Sequence, residues 1–284
     1  MSGMEPTRLG RWLWAAAGFA ALLAAVGVYG AFKGAEAKLA SARASVEGIK
    51  PRLDASLEQA LAIRRQAAII SAETAALRFG MHFAGHINLR QGFIATQTAQ
   101  ATDDFALLAG DSITEQLYLP MVAGLPAVNG GMGGASIADV LRLLEIIPHS
   151  SPVKLVVLEA GVNDAARSCV CPGFAEKWEA TLRLVVDKAL DLSPGGVAIN
   201  TIIPVEPGKP FAASFDPDKI LAFNTAIRKV AAEKKIILID NDPVFVPLTA
   251  GGGYTSDGVH PNAHGFNLWR ENIRAALAKA NFRQ

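Results

Sequence analysis

From about Gly80 the chain alternates short apolar runs with amphipathic stretches of helical length, and this alternation restricts the fold more than any other feature of the sequence. The runs "DFALLAG", "PAVNG", "KLVVLEAG", "GVAINTIIPV" and "KIILIDNDP" read as buried strands beginning near Asp104, Pro126, Lys154, Gly196 and Lys235. Between them, helices are expected at Ile113 to Val122, Ser136 to Ile147, Ala175 to Leu192 and Pro217 to Lys234, with a last one from about Pro261 to Ala280. Strands that alternate with helices of this length build a parallel sheet covered on both faces, an α/β domain. In such sheets ligands bind beyond the carboxyl ends of the strands, so the loops leaving those ends are where chemistry is sought.

With 284 residues, 51% of them apolar, the chain can fill one domain core with sequence to spare. The surplus is N-terminal. Residues 12 to 32 are 21 consecutive residues without a charge, bracketed by Arg11 and Lys33, which is long enough to cross a hydrocarbon core as a helix. A cleaved signal peptide carries a shorter apolar region, of about 7 to 15 residues, so length favours an anchor, although Ala35 and Ala37 offer a cleavage site. Trp12, Trp14 and Tyr29 sit near the span's edges, where a bilayer places aromatic rings. Basic residues lie on both sides of the span, but long domains are translocated regardless of such charges, so the N-terminus is expected inside and the domain outside the cytoplasm.

An Ala-rich stretch follows, with Leu53, Leu57 and Leu61 at helical spacing, and it is expected to be a helical stalk broken near Gly48 to Pro51. The expected organisation is a tail over 1–11, an anchor over 12–32, a stalk over 33–79 and a catalytic domain over 80–284. Self-association through the stalk is a second reading of that segment, but its heptads are not sustained.

A net charge of +1 and the lack of a basic block with interleaved aromatics argue against nucleic acid as a partner. Cys169 and Cys171, the only cysteines, fit no four-ligand metal spacing and leave a local disulfide or two thiols equally open.

Four loops at expected strand ends carry residues with chemical potential. "GDSIT" puts Ser112 where a strand turns into a helix; Ser112 and Glu115 also form a Ser-x-x-Glu capping sequence, so capping and nucleophilic attack both have to be weighed. "NGGMGGAS" is either a plain glycine loop or a place where backbone N–H groups can approach a ligand closely. "GVND" holds Asn163, which reads as ordinary turn chemistry or as an amide aimed at a developing oxyanion. In "TSDGVHPNAHG", Asp257 lies three residues before His260, near enough for its carboxylate to orient the imidazole. His264 receives no role, and His82, His86 and His149 are expected to be structural or exposed. Glu159 stands in an otherwise apolar strand and would need a partner if buried.

Taken in order, these four blocks resemble those of the GDSL, or SGNH, hydrolase family over roughly Asp104 to the C-terminus. The resemblance implies a three-layer α/β/α, flavodoxin-like fold and ester hydrolysis with no metal or organic cofactor. It implies Ser112 as nucleophile, His260 as base and Asp257 as its orienting carboxylate, with the N–H groups of Ser112 and Gly134 and the amide of Asn163 as oxyanion donors. The choice of Gly134 among the four glycines rests on its spacing from Asn129. The expected activity is a membrane-anchored esterase acting on an acyl ester, O-acetyl included, with a small ester or an acylated cell-envelope glycan as substrate. The alternatives are an O-acyltransferase using the same residues and a non-catalytic glycan-binding module.

Overall fold

The computed structural model describes residues 8–167 and 173–282, with side chains described for 13–64, 83–167 and 173–282. Cys169 and Cys171, whose pairing the sequence leaves open, lie outside the described residues. The chain divides into two compact units, Met1–Ser71 and Ala72–Gln284.

The first unit is drawn from helix α1 (Arg8–Ala99), and its residues 13–64 are exposed throughout. The helix contains a stretch long and apolar enough to cross a membrane by length and composition, a test that a signal sequence also passes. The break expected at Gly48 to Pro51 does not occur, because α1 continues through Pro51. Proline there removes one backbone donor, and the carbonyl of Glu47 that it would have met belongs to an exposed turn that water can solvate.

The second unit takes the last turns of α1, whose Ile87, Gln91, Ile94 and Thr98 are buried at helical spacing. Then follow β1 (Phe105–Gly110), α2 (Ser112–Gln116), β2 (Met121–Val122), β3 (Leu125–Gly131), α3 (Ile137–Ile146), β4 (Val153–Leu158) and α4 (Phe174–Leu192). The chain ends with β5 (Val197–Asn200), α5 (Pro217–Lys234), β6 (Ile237–Ile239), α6 (Asp242–Phe245) and α7 (Ala263–Lys279). The five expected strands and the four longer helices are present, α5 with the same bounds.

The helix expected over Ile113 to Val122 stops at Gln116. Proline at 120 disfavours helical backbone just before it, and Met121–Val122 instead pairs antiparallel with Leu125–Pro126. The two linking residues, Ala123 and Gly124, both have positive φ, at 51° and 84°, as the tightest hairpin turn demands.

The sheet order is β2-β3-β1-β4-β5-β6, and every pair but β2 with β3 is parallel. Without the antiparallel edge strand, the five parallel strands follow the flavodoxin-like 2-1-3-4-5 order. The chain leaves β1 in one direction for β3 and returns past it to β4, so the crevice at the carboxyl ends of β1 and β4 is the expected ligand position. Crossovers of one hand then put α3, α4 and α5 side by side on one face and α2 on the other.

Glycines fix how closely α2 approaches the sheet. A Cβ added at Gly131 would lie 2.0 Å from the Glu115 amide nitrogen and 2.4 Å from its Cα, both backbone atoms of α2. Gly131→Ala is therefore expected to lower the urea midpoint by an amount equivalent to about 1–3 kcal/mol, whereas Gly195→Ala, with nothing within 4 Å of its added Cβ, leaves it unchanged.

Candidate active site

Ser112 is the first residue of α2, directly after β1. The cap of this helix is Asp111, whose Oδ1 accepts the Ile113 N–H at 2.9 Å, so the capping role read for Ser112 belongs to its neighbour. Glu115, the other half of that capping sequence, also turns elsewhere: its carboxylate accepts the Gly133 N–H and meets His86. The Ser112 hydroxyl is left for another partner and lies 2.9 Å from His260 Nε2.

His260 reaches this position from the loop between α6 and α7. Its Nδ1 is 2.7 Å from Asp257 Oδ2, while Asp257 Oδ1 accepts the backbone N–H groups of Val259 and His260 at 3.0 and 2.9 Å. Burial works against the charge on Asp257, but these bonds to His260 and Val259 outweigh it and hold its carboxyl below the usual range. An ionised acceptor on Nδ1 requires the ring proton there, which leaves Nε2 to accept from Ser112. Asn262 caps α7 by accepting the Gly265 N–H, which fixes the exit of the same loop.

A residue that sequence reading passed over braces this loop. Glu206 is buried, and its carboxylate accepts the Gly253 N–H at 2.7 Å and both the N–H and the hydroxyl of Thr255, at 2.8 and 2.7 Å, beside Lys209 at 2.9 Å. Burial would raise its pKa; the three hydrogen bonds and Lys209 instead hold it down to about 2. Its only sequence signal was a charge next to a strand end, which is indistinguishable from a solvated loop residue.

Gly134 lies in the loop after β3 with φ +80°, a left-handed conformation that suits glycine, and a Cβ there would meet the Phe83 ring at 2.4 Å. Asn163 follows β4 and donates from Nδ2 to the Ala135 carbonyl at 3.0 Å, so its amide is tied to the residue after Gly134. Ser112, Asp257 and His260 thus form one continuous chain of hydrogen bonds, and Asn163 is linked to the glycine loop.

Glu159 has its partner. Its Oε2 accepts from the Thr114 hydroxyl at 2.9 Å, and Asp111, fully buried, lies beside it. Asp111 Oδ2 and Glu159 Oε1 are buried without a hydrogen-bond donor. Burial first, and then the neighbouring charge of Glu159, pushes Asp111 well above the ordinary carboxyl range; burial likewise raises Glu159. Among the described residues no cluster of His, Cys, Asp or Glu is suited to a metal ion.

A family model described as GDSL-like lipase/acylhydrolase matches residues 108–268. The chain belongs to the GDSL-like lipase/acylhydrolase family, and it is a hydrolase of ester bonds. Among solved structures, the chain is similar to a protein from Streptococcus pneumonia described as a platelet activating factor, with 20% identity over 72% of this chain and 99% of that one at a TM-score of 0.61. It is also similar to a GDSL-like lipase from Bacteroides thetaiotaomicron, with 22% identity over 67% and 98% of the two chains at 0.55. An acetyl xylan esterase shares 26% identity over 61% and 98% of the two chains at 0.51. No curated protein matches the sequence.

The Asp of the GDSL family member's "GVND" block, Asp164, accepts the Ile137 N–H at 3.0 Å and so ties this loop to the start of α3. Burial raises its pKa to about 6 despite that bond. A carboxyl raised from 3.8 to about 6 is protonated more readily in the folded state, so its contribution to stability is full below pH 4 and is lost as pH rises through 6. Between pH 4.5 and 7.5, Asp164→Asn is expected to gain about 2 kcal/mol of stability relative to wild type, read from urea unfolding at the two pH values.

Proposed function

We propose that this chain hydrolyses an acyl ester by way of a covalent serine intermediate, and that Ser112, His260 and Asp257 carry the chemistry. The observation that carries this reading is the relay from Ser112 Oγ through His260 to Asp257, at 2.9 and 2.7 Å. Ser112 Oγ attacks the acyl carbon as its proton passes to His260 Nε2, and the ester C–O bond breaks as that proton goes to the departing alkoxide. Water then attacks the acyl-enzyme, with His260 taking its proton and returning it to Ser112. Asp257 keeps the ring oriented and stabilises the imidazolium.

The Ser112 N–H, at the first turn of α2, has no partner within its own helix. Together with the Gly134 N–H and the Asn163 amide it forms the oxyanion site of this proposal, where losing one donor typically costs about 10²–10³ in turnover. The family and the likeness to an acetyl xylan esterase support a short acyl group, O-acetyl on a sugar hydroxyl being the preferred class. Residues 12–32 serve as a membrane anchor and 33–79 as a helical stalk for a domain over 80–284 that works outside the cytoplasm; the long apolar helix supports this arrangement.

The test is turnover of p-nitrophenyl acetate and of an acetylated xylan by the full chain. Ser112→Ala is expected to lose at least about 10⁴-fold in kcat, and Asp257→Asn about 10⁴-fold, with Asn163→Ala losing about 10²–10³-fold. Equal rates for wild type and Ser112→Ala would contradict the proposal, and transfer of the acetyl group to an added sugar in preference to water would replace hydrolysis by acyl transfer.

A further inference from the structure

The last turns of α1 precede the segment matched by the family model, which begins at residue 108, yet they make polar contacts with the end of β3, from which the loop that holds Gly134 departs. Strand β3 presents alternate residues to its two sides. All three of Asn129, Gly130 and Gly131 lie beside β1, but backbone groups turn alternately to the two edges of a parallel strand: the Met132 N–H bonds the Gly110 carbonyl of β1, so those of Asn129 and Gly131 turn to the other edge, where β2 pairs only with Leu125 and Pro126. Backbone groups left there need partners.

Side chains take the place of the missing strand. Arg90 donates from Nε to the Gly131 carbonyl at 2.9 Å and from Nη2 to the Asn129 carbonyl at 3.1 Å. The Asn129 side chain accepts the Gly131 N–H at 2.9 Å and donates to the Thr114 and Leu117 carbonyls at 2.8 and 3.0 Å, which binds this edge to α2. Glu115, three residues after Ser112 on α2, accepts the Gly133 N–H and also meets Arg90 Nε at 3.3 Å. His86 Nε2 lies 2.9 and 3.1 Å from the two Glu115 oxygens, a geometry that requires the proton on Nε2.

We propose that Arg90 and His86 on α1 are positioning residues, which hold the Gly131 to Gly134 backbone in register with Ser112 through Glu115 and so fix where the Gly134 N–H points. The role follows from the connections: Glu115 binds one residue before Gly134 and sits on the helix of Ser112, and the α1 side chains immobilise both partners. The Arg90 side chain is only 19% exposed, so its bonds are shielded from water. Its planar fork matches two carbonyls two residues apart, which a lysine ammonium cannot do with the same geometry. An error of about 1 Å in such a donor costs up to about 10² in rate.

This inference rests on the reading of Gly134 as an oxyanion donor, and its test separates the two claims. In the full chain, Arg90→Ala is expected to lower kcat for p-nitrophenyl acetate by about 10–100-fold with KM within about twofold. Arg90→Lys recovers part of that loss, and His86→Gln, which keeps a donor toward Glu115, recovers most of what His86→Ala loses. Hydrogen exchange at the amides of Gly131 and Gly133 accelerates at least about 10-fold in Arg90→Ala while strands β1 and β4 keep their protection. Unchanged exchange at Gly131 and Gly133 would overturn the proposal whatever the enzymatic rates, and so would unchanged kcat in Arg90→Ala of an active enzyme. Wild-type inertness on esters would instead remove the hydrolytic reading, with the exchange measurement still deciding whether α1 holds the loop.

Discussion

Helix α2 approaches the sheet more closely than side chains at the contact would allow, and the site depends on that approach. Gly131 leaves room for the backbone of Glu115, and a Cβ at Gly110 would lie 2.2 Å from Thr114 Oγ1 and 2.4 Å from the Glu159 carbonyl oxygen. With both positions bare, the turn from β1 into α2 is tight enough to set Ser112 at the carboxyl edge of the sheet. His260, 148 residues further along, then meets it at hydrogen-bond distance. A larger residue at either glycine would move the helix that carries Ser112, so packing and chemistry share one constraint.

Buried and half-buried carboxyl groups surround this turn, and they divide by what supports them. Asp257 and Glu206 receive backbone N–H groups and hold their charge, which suits groups that orient a histidine and brace its loop. Asp111 and Glu159 are buried, each with one oxygen that has no donor, Asp164 is half-buried, and the loss of solvent raises the pKa values of all three. Such groups cost stability near neutral pH, a pattern common where a protein maintains a rigid polar site. Asp111 nevertheless caps α2, and Thr114 joins that helix to Glu159, so the costly pair still helps secure the turn.

Much of the fold was legible because period and punctuation agreed. The apolar runs became β1, β3, β4, β5 and β6, and Pro217 to Lys234 became α5. Ser112, Asp257 and His260 were legible as blocks at strand ends, and the structure brings them into one hydrogen-bonded chain. The misses have local causes. The short β2 hairpin was hidden by an apolar stretch that also suits a helix, with Pro120 the overlooked signal. The capping sequence at Ser112 named the wrong residue, because Asp111 offers the better-placed oxygen and Glu115 is drawn to Gly133 and His86. The bonds of Glu159 to Thr114, of Glu206 to Gly253 and Thr255, and of Arg90 to Asn129 and Gly131 join residues 39 to 49 positions apart, and no local pattern encodes them.

The most direct test of the account is covalent labelling of the full chain with a small alkyl fluorophosphonate, followed by mass spectrometry of the intact protein and of its peptides. A serine activated by His260 and Asp257 predicts a single adduct per chain, located on Ser112 and lost in His260→Ala. An adduct on another residue, or continued ester turnover after Ser112 is fully labelled, would contradict it.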